Sequence, residues 1–141
     1  MKILIGGFLF FVFLFLSIIH IYWGFGGKIG SSATVPTKGN NKLLIKPGAI
    51  ECFAVAIVLL NFGIFILIKA GILLFNLPHW LLNYGLWAIA AIFLLRAIGE
   101  FKYIGFFKKI RSTKFGQMDT QYYSPLCLLI GLLGIVLEIL K

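Results

Sequence analysis

Four apolar runs, Ile3 to Ile21, Ala49 to Ile68, Trp80 to Leu95 and Tyr122 to Leu140, are separated by stretches that carry most of the charge. The runs are continuous rather than alternating, which argues against barrel strands with a two-residue repeat over about 10 residues. In lipid, a continuous apolar segment satisfies its own backbone only as a helix. Flanking polar residues are spaced to match. Glu51 and Lys69 are 18 residues apart, as are Lys2 and His20, which is about 27 Å of helix. Trp80 and Arg96 are 16 apart, as are Tyr122 and Glu138. These separations approximate a hydrocarbon core about 30 Å thick, so most of these groups are expected at interfaces. The short turn at Asn76, Leu77, Pro78 and His79 predicts that the second and third runs are antiparallel neighbours.

Composition narrows the class. Of 141 residues, 61% are hydrophobic and 12% charged, against roughly 45–50% and 25% in soluble domains. That excludes an ordinary soluble enzyme, a disordered tail and a collagen-like chain. The fold class predicted is an all-α membrane protein. It is an antiparallel four-helix transmembrane bundle forming a single domain over residues 1–141, with spans near 3–22, 49–69, 80–99 and 122–140. A cleaved signal sequence at the start is disfavoured, because the first run exceeds the 7–15 apolar residues of a signal peptide.

The net charge of +9 sets an expected orientation. The first connection carries Lys28, Lys38, Lys42 and Lys46. The third carries Arg96, Lys102, Lys108, Lys109, Arg111 and Lys114, so one side holds ten basic residues. Lys2, Lys69 and Lys141 make three on the other. Basic loops stay in the cytoplasm, so a multi-pass protein of the cell membrane is expected, with both termini outside. Within the third connection Tyr103, Phe106, Phe107 and Ile110 form one apolar stripe on a helical wheel, with Lys102, Lys108, Lys109 and Arg111 turned from it. Such a segment suits the headgroup layer and anionic lipid. Basic and aromatic residues also occur in nucleic-acid binders, but a segment tethered between two spans meets lipid first. Lipid headgroups at the cytoplasmic face are therefore the expected partner and nucleic acid is not.

With alternating spans, His20 and Trp23, then Glu51, then Arg96 and Glu100, then Asp119 and Tyr123 all fall on the inner side. They form a candidate polar cluster. His20, Trp23, Gly24 and Gly27 share one helical stripe, and Arg96, Glu100 and Tyr103 another. Interfacial anchors and caps would produce the same placement, with Ser124 and Pro125 a suitable N-cap and first-turn pair. Asn61, near the middle of the second run, is expected to bond a neighbouring helix. Lys69, His79 and Glu138 are all that the opposite side offers besides the termini. Cys52 and Cys127 suggest small packing residues. The run Gly24-Phe25-Gly26-Gly27-Lys28 fails the phosphate-loop pattern, and no zinc or nucleophile motif occurs. No metal site is expected, and the residues name no cofactor.

The run Arg96-Ala97-Ile98-Gly99-Glu100-Phe101-Lys102-Tyr103-Ile104-Gly105-Phe106-Phe107-Lys108-Lys109 resembles a bacterial membrane family. So do Phe115 with Asp119, the segment Tyr123-Ser124-Pro125-Leu126-Cys127-Leu128, and His20, Trp23, Gly26 and Gly27 in the first run. The family is known as domain of unknown function 3995, and the resemblance covers nearly the whole chain. It implies a small four-span protein of the bacterial inner membrane and supplies no activity.

Three functions fit these residues. The first is a non-enzymatic membrane component, alone, as a homo-oligomer or in a larger membrane complex. The second is a membrane enzyme acting on a lipid-soluble substrate at the cytoplasmic interface, with His20, Glu100 and Asp119 as acid–base candidates. The third is a small transporter subunit, which would need polar groups along the whole bundle. Only Asn61 stands out near the centre, which favours the first two.

Overall fold

The computed structural model describes residues 1–26, 48–99 and 122–140. They form four helices: α1 (Lys2–Gly24), α2 (Ala49–Lys69), α3 (His79–Ile98) and α4 (Ser124–Ile139). Each element follows from local chemistry. Helix α2 begins behind Gly48, and Glu51 lies in its first turn, where the positive end of the helix favours a carboxylate. A Cβ at position 48 would lie 2.5 Å from the Glu51 carboxylate, so the side chain folds back over its own cap. Pro78 precedes α3 and Gly99 ends it at a φ of 82°, a left-handed conformation that suits glycine. Pro125 lies in the first turn of α4, where it forfeits no intrahelical bond. Ser124 does not act as the cap expected of it. It is the first residue inside the helix, makes no capping bond and is fully buried. The helical path enters from Tyr123, whose backbone is already helical, so the chain never makes the extended entry that a serine cap needs.

Among the described residues, α1, α2 and α3 are long and apolar enough to cross a membrane, and α4 is a shorter apolar helix. Helices α1 and α2 pack along their lengths through small residues. Gly6 meets Ala70, the rings of Phe10 and Phe13 fill the space beside Gly63, and Gly24 meets the Phe53 ring. The start of α1 therefore lies by the end of α2, and its end by the start of α2. Helices α3 and α4 pair in the same sense, with Gly131 against Leu94 and Ala90, and Gly134 against Ala90 and Leu86. Where lipid removes the hydrophobic drive between helices, close approach over small residues provides the contact.

The two pairs meet in a core of Leu9, Phe13, Leu59, Leu86, Ile130 and Leu137. Phe13, Phe62 and Phe93 join α1, α2 and α3 edge to face, with centroids 5.3–6.5 Å apart, a favoured aromatic geometry. Helices α2 and α3 are not the close neighbours that a short turn implies. The path from Ala70 to Pro78 is non-helical, long enough to let them diverge. They meet near that connection, where the Phe65 ring covers Gly85 and Lys69 reaches Leu82. Between them lies an open apolar groove of about 490 Å³.

Candidate functional site

Of the described members of the inner-side cluster, His20 and Trp23 meet each other within α1. The His20 ring donates from Nδ1 to the Leu16 carbonyl at 2.7 Å, one turn back, and meets the Trp23 ring edge to face at 5.2 Å. The carbonyl can only accept, so Nδ1 is the donor. Glu51 is exposed and folded towards Gly48. Arg96 is half-buried in the last turn of α3, where its charge complements the negative end of the helix. Tyr123 is half-buried at the entry to α4. Glu100 and Asp119, which would link these groups, lie outside the described residues. So does the whole surface segment with Lys102, Tyr103, Phe106, Phe107, Lys108, Lys109 and Arg111.

The best-defined ionic contact is at the other end of the helices. Lys69 Nζ stands 2.7 Å from Glu138 Oε2, with side-chain exposures of 11% and 2%. The same ammonium donates to the Leu82 carbonyl at 2.8 Å. One cation thus joins the end of α2, the first turn of α3 and the last turn of α4. Sequence spacing puts both charges at an exposed interface, but the structure buries them together. The reason is electrostatic. Glu138 sits at the negative end of α4, which disfavours a carboxylate, and a cation beside it reverses that penalty. The signal was available: the carboxylate stands at the wrong end of its run, and Lys69 is one of few cations on its side.

Two further polar groups were placed wrongly or missed. The Ser17 hydroxyl donates to the Ala56 carbonyl at 2.8 Å in a buried contact between α1 and α2. A lone serine in an apolar run gave no warning of it. Asn61 Nδ2 donates to Ile57 O at 2.9 Å, within its own helix. The expected bond to a neighbouring helix is not made among the described residues, because this face of α2 is exposed. Cys52 is a buried free thiol, and Cys127 is half-buried on α4. No group of three or more His, Cys, Asp or Glu able to hold a metal ion occurs among the described residues.

The family described as Protein of unknown function (DUF3995) matches residues 13–134. The chain belongs to this family. That span of the DUF3995 chain takes in the His20–Trp23 pair, Arg96 and Tyr123, together with Lys69; Glu138 falls just beyond it. No curated protein and no solved structure matches the chain.

Proposed function

We propose that this DUF3995 protein is a non-enzymatic component of the bacterial inner membrane. Its four helices cross the bilayer as an antiparallel bundle, with both basic connections in the cytoplasm and both termini outside. The observation that carries this reading is the inverted exterior. On α1 the outward side chains include Leu4, Phe8, Phe11, Phe15 and Ile18, with Phe11 68% exposed and Phe15 64%. The buried charges, by contrast, are paired inside. Soluble monomers rarely leave such a continuous row of large apolar side chains uncovered. Helix α4 is 16 residues long, about 24 Å. Local bilayer thinning accommodates such a span at modest cost.

The non-enzymatic part is supported by how the ionisable groups are used. Intramembrane charges default to functional hypotheses, but Lys69 and Glu138 are joined to each other and to the α3 backbone, as a structural tie would be. The inner-side cluster of His20, Trp23, Glu51, Arg96, Glu100, Asp119 and Tyr123 is proposed as a second tie at the cytoplasmic face. Lys102, Tyr103, Phe106, Phe107, Lys108, Lys109 and Arg111 are proposed to rest on anionic headgroups. The direct test is native mass spectrometry of the protein extracted from its membrane. The reading predicts phospholipid alone as the bound small molecule. A stoichiometric non-phospholipid molecule, lost on Glu100→Gln, would favour the enzyme or transporter instead.

A further inference from the structure

Helix α2 has two faces with the same spacing and opposite fates. Cys52, Ala56, Leu59, Gly63 and Ile66 form the buried row against the rest of the protein. Ile50, Ala54, Ile57, Asn61, Ile64 and Ile68 form a row on another side, alternating steps of four and three. Five of these six are exposed and Ile68 is half-buried. Steps of four and three are the spacing of a left-handed helix–helix seam. The second half of this row forms one wall of the apolar groove, and Leu81, Gly85, Ala88 and Ile92 of α3 form the other. The second wall repeats the alternating steps, with the Phe65 ring of α2 lying over Gly85 and the small, exposed Ala88 one step further along.

Asn61 is the polar residue on the exposed row. It lies twelve residues after Ala49 and eight before Lys69, near the middle of the span. Its amide gives one N–H to Ile57. A primary amide has a second N–H and two acceptor lone pairs. An acyl chain at that depth offers no hydrogen-bonding group. A second amide offers both kinds, so Asn61 is complementary to itself.

We propose that this face of α2 is a homodimer interface, in which two copies pair their α2 helices in parallel and Asn61 bonds Asn61 of the second copy. The inference rests on the membrane reading. Copies inserted with one orientation, as the charge bias favours, place equal depths of α2 side by side. A central asparagine in such a seam sets register and number of strands. The shape of the groove wall, the alternating row and the amide at mid-depth then have one common purpose. The DUF3995 protein is a paired unit, with α2 at its centre and α1 on its periphery.

The test uses the full chain in phospholipid vesicles at a series of protein-to-lipid ratios. Dimerisation is read by energy transfer between labelled copies. The wild type is expected to dimerise. Asn61→Leu is expected to weaken association at least about ten-fold, and Asn61→Gln, which keeps the amide, to recover part of the loss. Cysteine crosslinking with native Asn61 gives an independent readout in a Cys52→Ala/Cys127→Ala background. Ile57→Cys and Ile64→Cys should crosslink between copies, and Phe11→Cys on α1 should not. A monomer at every ratio, undiminished association of Asn61→Leu, or crosslinking at position 11 in preference to 57 and 64 overturns the dimer. Alkaline extraction of the same membranes separates the two claims. Release from the membrane fails the membrane reading and the dimer with it, whereas a retained monomer fails the dimer alone.

Discussion

Glu138→Gln should destabilise the helix assembly by about 3 kcal/mol, and Lys69→Met by up to about 5 kcal/mol. At 2.7 Å two unit charges attract by about 6 kcal/mol at an effective dielectric of about 20. Desolvating each ion costs several kcal/mol, so the intact pair contributes little net stability. Removing one partner is different, because the other keeps its desolvation cost and loses that attraction. In Glu138→Gln the Lys69 ammonium keeps its Leu82 bond and its 11% exposure. It can extend towards water, so the cost falls at the low end. In Lys69→Met the Glu138 carboxylate, 2% exposed, faces the negative end of α4 without its cation, so the cost falls at the high end. The double variant Lys69→Met/Glu138→Gln removes both charges and should recover most of the larger single loss. Reversible unfolding in mixed micelles, followed by helix circular dichroism, gives all four corners of the cycle. Single-variant losses below about 1 kcal/mol, or a double variant equal to the sum of the singles, would refute the claim that the pair ties α2 to α4.

Two further outcomes follow from the contacts. At Gly131 a Cβ would lie 2.6 Å from Leu94 and 3.2 Å from the Ala90 carbonyl, whereas at Gly134 it would meet Ala90 at 3.5 Å. Gly131→Ala should therefore cost about 1–3 kcal/mol by overpacking, and Gly134→Ala much less. Equal losses in the same unfolding assay would contradict the α3–α4 packing. A peptide covering 100–115 should bind anionic vesicles more strongly than neutral ones, at about 1 kcal/mol per basic residue near the surface. Salt should weaken that binding, and equal affinity for both vesicle types would remove the electrostatic part of the lipid-surface proposal.

The helices were legible in the sequence because lipid-compatible runs must be helical and their ends are marked. Helix α2 begins at Ala49, the first residue of its apolar run, and ends at Lys69, the first charge after it. Which helix packs on which was not legible. In a soluble helix the buried face is the apolar one, but here the exposed row through Ile50 and Ile57 is as apolar as the buried row through Leu59 and Ile66. Small residues carry the information instead, and Gly6, Gly63 and Gly131 mark packing surfaces whose partners only the structure names. The polar sites divide similarly. Depth assigned Glu51 and Arg96 to helix ends. Depth could not say that Lys69 and Glu138, 69 positions apart, share one buried contact, nor that Asn61 turns its amide to its own helix.

The central claim is that the four helices cross a membrane with the basic connections inside. Single cysteines placed at positions 2, 40, 76, 112 and 140 of a Cys52→Ala/Cys127→Ala chain, labelled on intact cells with an impermeant maleimide, test it most directly. Labelling at 2, 76 and 140 from outside, with 40 and 112 reactive only after permeabilisation, is the predicted result. Labelling at 40 from outside, with none at the termini, would contradict the account.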